Sequence, residues 1–433
     1  MAEWQVYMDV LVVGGGGREH AICSKLRQSA RVDKLYCAPG NGGILSIADC
    51  VDIAASDVKN MVLFAKEKEI GFVVVAPDDP LAAGMVDALE DSGIRAFGPR
   101  KNAAIIESSK AFSKGLMKKY GIPTAEYEVF SDIDAAKAYI LKKGAPIVIK
   151  ADGLALGKGV VVAMETETAL AAVDTMMLNR KFGESGARIV IEEYMTGPEV
   201  TALVFTDGKT IAAMPSSQDH KRALTGDLGP NTGGMGAFCP SPYYTDEICA
   251  ICNNTIFRPT VDAMNAEGRT FKGVLYFGLM LTREGPRVVE YNARFGDPET
   301  QPVLNMLETD LLDVLEAVTD ERLHEAEIVW RGGYSCCVVM ASGGYPGEYE
   351  KGFAISGLET VPDDITVFHA GTSMSGSVYV TSGGRVLGVT ASGDTLSSAA
   401  ARAYYGVSLI NFENAHFRTD MGLTDTGFMN QQL

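Results

Sequence analysis

No apolar run in this 433-residue sequence approaches the ~18 residues that a membrane span requires. The opening run MAEWQVYMDVLVV carries no basic n-region, so no secretory signal is expected. Basic residues are in deficit: 38 Lys and Arg face 55 Asp and Glu, a formal net charge of −17. That balance argues against nucleic acid or an anionic membrane as the main partner, since both need a basic footprint. Local lysines, arginines and helix N-termini can still bind small anions. Histidine is scarce, and the five residues at 20, 220, 324, 369 and 416 form no ligand cluster. Cys249 and Cys252 make a close pair, with no second pair and no nearby histidine to complete a zinc site. The expectation is a cytoplasmic protein whose eight cysteines are reduced.

What is present is an ordinary globular composition, 46% hydrophobic and 21% charged, in a chain too long for one core. Residues 1–107 alternate apolar strands with helical segments, as in MDVLVVGGGGREHAICSKL and GFVVVAPDDPLAAGMVDAL. This predicts a parallel α/β sheet with right-handed crossovers. Ligands of such sheets sit at the carboxyl ends of strands, here Gly14–His20, Pro39–Gly43 and Ala76–Pro80. From 108 to 330 the pattern changes to α+β, with paired strands and an Asp207-Gly208 turn. Residues 331–433 read as a smaller β-rich domain.

Several motifs imitate familiar ones and fail. Gly14-x-Gly16 is followed by Glu19, and Gly15-x-Gly17 by His20, where a dinucleotide fingerprint wants a third glycine. A glycine turn feeding a helix N-terminus remains: a cradle for one phosphate, or simply a tight turn. ADGLALGKGV is no Walker loop: three residues separate Gly153 from Gly157, and Lys158 precedes Gly159 rather than Ser or Thr. It reads as a hairpin lid able to close over phosphates with Lys158 and Lys150, or as a solvated surface hairpin. IVIEEYM ends a buried strand on Glu192 and Glu193, which need partners. An adenine or ribose edge would serve, with Met195 against the base. In VVEYNARFGDPE, Glu290 and Asn292 share one face of a strand, a pair of oxygens suited to Mg²⁺. Arg294 continues that face and suits a phosphoryl group or a carboxylate.

GGREHA, PGN, SKAF, IPTA, VIKADGLALGKGVVV, IEEYM, QDHKR, GPNTGGMGAF and EYNARFGDPETQ stand in one order along the chain. In that order the sequence resembles the phosphoribosylamine–glycine ligase (glycinamide ribonucleotide synthetase) family, from about Asp9 to the end. The resemblance implies a pre-ATP-grasp domain over 1–107, an ATP-grasp domain over 108–330 with a mobile lid at about 122–192, and a C-terminal domain over 331–433. It implies ATP-dependent joining of glycine to 5-phosphoribosylamine through glycyl phosphate, with Mg²⁺ or Mn²⁺, by a monomer or weak dimer. Lys110, Lys150 and Lys158, with Gly153, Gly157 and Gly159 of the lid loop, would hold the nucleotide phosphates. Glu192, Glu193 and Met195 would line the adenosine pocket, with Glu199 near the ribose, and Glu290 and Asn292 would bind the metal. His220, Lys221 and Arg222 would offset phosphate charge while Asp219 holds the ammonium of glycine; Arg294 and Asp297 join this catalytic set. Gly16, Gly17, Arg18, Glu19, His20, Gly40 and Asn41 would take phosphoribosylamine, and Asn231, Thr232, Gly233 and Gly234 would close on the transferred group. The family usually has Gly-Pro-Glu where this chain has Ala76-Pro77-Asp78, so the contact of Asp78 with substrate is altered. Other ATP-grasp proteins also carry a metal-binding carboxylate on the preceding strand; LYFGLML has none. Another ATP-grasp carboxylate–amine ligase is the alternative. A silent nucleotide-binding protein would have lost a metal or phosphate residue, and none is missing.

Overall fold

The structure is a computed structural model and describes residues 7–154, 159–179 and 186–423. The first sheet is parallel throughout, with Met8–Gly14 at its centre. Val32–Pro39 and then Asp49–Cys50 lie on one side of it, Phe72–Val75 and then Ala96–Phe97 on the other. Its inner strands are apolar at nearly every position because helices cover both faces. The helical stretch after Ala76 is broken in two, Asp78–Ala83 and Met85–Glu90, by Gly84 at φ +96°.

Two antiparallel sheets follow. Tyr127–Phe130, Ile189–Glu193, Ile147–Ala151 and Val160–Ala163 pair in that spatial order. Helices Ile133–Lys143 and Thr166–Val173 cover this sheet through Ile140, Ala169 and Val173. These residues form a core of their own, separate from the rest of the molecule. Ile211–Ala213, Glu199–Thr206, Gly273–Thr282 and Gly285–Asn292 make the second sheet. Its Phe277 and Leu279 join a continuous core with Leu11 and Val73 of the first sheet. The Asp207-Gly208 turn forms as expected: the Asp207 carboxylate accepts from the Lys209 and Thr210 amides at 2.9 and 2.6 Å.

The last sheet begins in the middle of the chain. Gln218–Asp219 and Gly236–Cys239 pair into it ahead of Tyr334–Ala341, Arg385–Gly393 and Ile365–His369. The helix Leu396–Leu409 packs against it, burying Ala399, Ala403 and Val407. No helix among the described residues is long and apolar enough to cross a membrane.

Candidate active site

One cavity of about 590 Å³ opens between the two antiparallel sheets and reaches both flanking domains. Val148, Val160 and Val162 line one wall and Met280 and Val289 the other, an apolar slot that runs into charged groups. Met195 and Tyr194 edge it, on the segment joining the two sheets.

Lys110 starts the helix Lys110–Tyr120 and donates to the Gly153 carbonyl at 2.9 Å. One turn on, Lys114 falls on the same face. It meets Glu192 Oε2 at 2.9 Å, and Lys150 meets the same oxygen at 3.1 Å. All three side chains are buried, at 3%, 3% and 5% exposure. Burial works against the Glu192 charge, but Lys150 and Lys114 hold its pKa below the usual range. Burial pulls Lys114 down to about 8 against the attraction of Glu192. Glu192 Oε1 has no hydrogen-bond partner. Glu193 pairs with Arg287 at 2.9 Å. The carboxylates that end this strand therefore meet lysines and an arginine of the chain itself.

Glu290 and Asn292 lie on strand Gly285–Asn292 and both line the cavity. The register slips between the Gly278–Glu290 and Leu279–Val288 pairs, leaving Val289 as a bulge whose carbonyl accepts from Lys150 at 3.0 Å. Lys221 reaches Glu199, and Glu290 at 3.4 Å. Lys221 is the main cause that holds Glu290 down to about 2, with Lys150 and Lys110 adding to it against burial. Burial opposes the Lys221 charge, yet Glu199 and Glu290 keep its pKa well above normal. Asp219 carries an unpartnered Oδ1, and burial followed by Glu299 pushes its pKa far up. Arg294 binds Glu107 at 2.9 Å and leaves its Nε unpartnered. Burial raises Glu107 to about 7 in spite of Arg294.

Most of the expected residues share this cavity. Lys110, Lys150, Gly153, Gly159, Glu192, Glu193, Met195, Glu199, Asp219 and Lys221 line it, as do Asn231, Thr232, Gly233, Glu290, Asn292, Arg294 and Asp297. Of the residues expected from the first domain, Arg18 and Asp78 line it. Gly157 and Lys158 lie outside the described residues.

Several expected residues have partners within the protein or lie off the cavity. Asn41 spends both amide protons on the Gly15 and His369 carbonyls, at 2.9 and 2.8 Å. Its oxygen accepts from the Gly43 and Ile44 amides, so it staples loops together and has nothing left for a ribose. Glu19 takes the Gly16 amide at 2.6 Å and Arg18 Nε at 2.6 Å, which sets a carboxylate where a phosphate is expected. His20 is buried against His369, whose amide donates to its Nδ1 at 2.8 Å. The glycine run is a packing device: a Cβ on Gly15 would sit 2.4 Å from the Gly40 carbonyl oxygen, and one on Gly17 2.6 Å from Gln301. His220 packs on Phe238 and does not line the cavity; burial followed by Arg418 lowers its pKa to about 4. Arg222 is exposed, bonds the Gly229 carbonyl at 2.7 Å and does not line the cavity. Gly234 lies just behind the wall, at φ +111° against Pro298.

Lys114, Glu107, Tyr276, Glu299, Tyr345 and Arg385 line the cavity without having been expected. The spacing from Lys110 could have found Lys114. Tyr345 and Arg385 come from the last domain, and no local pattern marks them.

The family models described as phosphoribosylglycinamide synthetase N domain, ATP-grasp (A) domain and C domain match residues 8–107, 108–300 and 335–424. The chain is 51% identical over 415 residues, 96% of each chain, to a phosphoribosylamine–glycine ligase of Halalkalibacterium halodurans. It is 49% identical over 422 residues to that of Rhodopirellula baltica, 95% of this chain and 97% of the relative. The crystal structure of the Thermotoga maritima phosphoribosylamine–glycine ligase superposes with a TM-score of 0.82 at 30% identity, covering 95% of this chain and 99% of that one. The biotin carboxylase domain of a Hydrogenobacter thermophilus 2-oxoglutarate carboxylase, at 16% identity and a TM-score of 0.74, shares the fold.

Proposed function

Because this chain belongs to the phosphoribosylglycinamide synthetase family, we propose that it joins glycine to 5-phosphoribosylamine at the expense of ATP, in the cytoplasm, as the second step of de novo purine synthesis. A glycine carboxylate oxygen attacks the γ-phosphorus of ATP; the bond to the β-phosphate oxygen breaks, and ADP leaves. The amine of phosphoribosylamine then attacks the acyl carbon and loses a proton, and phosphate departs, leaving glycinamide ribonucleotide.

The observation that carries this reading is the shared wall of the cavity. Phosphate-seeking lysines, an ionised carboxylate beside an amide oxygen, and an unpartnered buried carboxyl all face one space. The apolar slot of Val148, Val162 and Met280 suits a purine base, and Lys110 and Lys150 at its inner end suit the phosphates. Lys150 and Lys114 stay mutually tolerable through Glu192, and added phosphates would relieve that crowding. Asp219, with a free oxygen in a buried place, is built to accept the ammonium of glycine. Lys221 and Arg294 would hold the transferring group, a reaction that asks mainly for positioning and charge neutralisation. Arg18 and Asp78 are left as the first domain's contacts for phosphoribosylamine. The separate core that Ile140, Ile149, Ala169 and Ile191 share supports a lid that closes as a unit, excluding water from the acyl phosphate.

Glu290 and Asn292 fit a hard divalent cation, Mg²⁺ or Mn²⁺: one carboxylate ionised down to about pH 2 and one amide oxygen, with room for phosphates and water. Such an ion would supply charge neutralisation to the nucleotide phosphates. The test is phosphate release from ATP with glycine, with and without phosphoribosylamine generated in place, and mass spectrometry of the product. Release that ignores glycine and answers to another acid overturns the substrate assignment.

A further inference from the structure

The stretch Gln218–Cys239 is sewn into the C-terminal domain at three points. Its two strands belong to that domain's sheet. At Gly233 the Tyr345 hydroxyl accepts the amide at 3.1 Å, while Arg385 donates to the carbonyl at 2.6 Å. The same Arg385 nitrogen donates to the Asp297 carbonyl at 2.7 Å, tying two parts of the cavity wall together.

The third point is Arg418. Its side chain is only 1% exposed, yet it does not line the cavity. It donates to the Arg222 carbonyl at 3.2 Å and to Asp227 at 2.6 Å, and Asp420 braces it. Asp420 also takes the Gly226 amide at 2.9 Å. The hairpin Arg222–Asn231 leaves Leu224 and Leu228 in solvent, so it has little core of its own. A buried guanidinium is expensive to desolvate, and breaking its pairing from one side is strongly destabilising.

We propose that the C-terminal domain is a splint for Lys221 and the Asn231–Gly234 loop, with Arg418, Arg385 and Tyr345 as its positioning residues. The inference rests on the function proposed above. The Lys221 carbonyl accepts from the Thr232 amide at 2.7 Å and its hydroxyl at 2.8 Å, and the next carbonyl is held by Arg418. Lys221 is thereby aimed at Glu199 and Glu290 by bonds whose far end lies in another domain. Freed from Arg418, the hairpin swings on a glycine-rich base, and a misplacement of about 1 Å lowers a rate on the order of hundredfold.

The test uses the full-length protein with Tyr345→Phe, Asp227→Asn and Arg418→Lys. Asp227 is 73% exposed, so its replacement does not disturb a core. Steady-state kinetics, melting midpoints and ADP affinity are measured for each. The expected result is a fall in kcat of about tenfold for Tyr345→Phe, as one lost hydrogen bond implies, and a smaller fall for Asp227→Asn, which keeps an acceptor oxygen but loses the charge, with ADP affinity and melting midpoint held in both. Arg418→Lys falls about hundredfold. Unchanged kcat in both Tyr345→Phe and Asp227→Asn overturns the splint, as does a loss of kcat matched by an equal loss of ADP affinity. If Arg418→Lys does not fold, the other two variants decide. A wild-type protein that makes no glycinamide ribonucleotide sinks the proposed function instead, so the two failures are distinguishable.

Discussion

Replacing Glu192 by Gln removes the charge on which two buried lysines depend. Lys114 and Lys150 share the single oxygen Oε2, at 2.9 and 3.1 Å. Each has one neutral acceptor besides: Thr124 Oγ1 at 2.8 Å for Lys114 and the Val289 carbonyl at 3.0 Å for Lys150. Without the carboxylate, two ammonium groups face each other in a dry site. Breaking a buried ion pair from one side costs about 3–5 kcal/mol. The loss falls on strand Ile189–Glu193, which carries Glu192 and packs into the core of Ile140, Ala169 and Val173. In hydrogen exchange at pH 7, that strand's amides should lose protection by a factor on the order of 10²–10³, since each 1.4 kcal/mol is tenfold. The strand Met8–Gly14, in another core, should keep its protection. Saturating ADP should restore part of the loss, because its phosphates supply the missing anion. A change in protection under about tenfold, or an equal change in both strands, would refute the buried-triad account.

Glu290→Ala should weaken Mn²⁺ binding to the ADP complex by at least about tenfold while leaving ADP affinity in the absence of metal nearly intact, as titration followed by electron paramagnetic resonance would register. Undiminished Mn²⁺ binding would remove Glu290 from the metal site. Gly15→Ala places a Cβ 2.4 Å from the Gly40 carbonyl oxygen and should cost about 1–3 kcal/mol, read as a lower melting midpoint; an unchanged midpoint would mean that the two loops part freely. His20, His369 and His220 are all depressed by burial, to about 3, 4 and 4 from 6.5. Below pH 6.5 the unfolded chain takes up protons that the folded chain refuses, so stability should fall as pH drops, by about 2 kcal/mol per histidine at pH 5. A melting midpoint flat from pH 7 to 5 contradicts this.

The parallel sheet is legible in sequence because its strands are apolar on both faces and each crossover is local. Glu290 and Asn292 are legible because strand periodicity alone puts them on one face, downstream of the Val289 bulge. IVIEEYM shows the limit. That two buried carboxylates need partners follows from desolvation, but their identity, Lys114, Lys150 and Arg287, is set by tertiary packing. The same holds for Asn41 and His220, whose residue types suit a ligand while their neighbours consume or neutralise them. Gln218–Asp219 and Gly236–Cys239 are too short and too rich in glycine to announce a sheet whose other strands lie about a hundred residues on.

That topology bears on how the protein is made. A ribosome delivers Gln218–Cys239 well before Tyr334–Ala341, the strand on which Gly236–Cys239 lies down, and before Arg418. The nascent chain can complete its first sheet and the sheet of residues 127–193 while this loop still waits for a surface to settle on. Ligase activity should therefore appear late and all at once during synthesis. A chimera that exchanges the last domain with a relative's must carry residues 218–239 along with it.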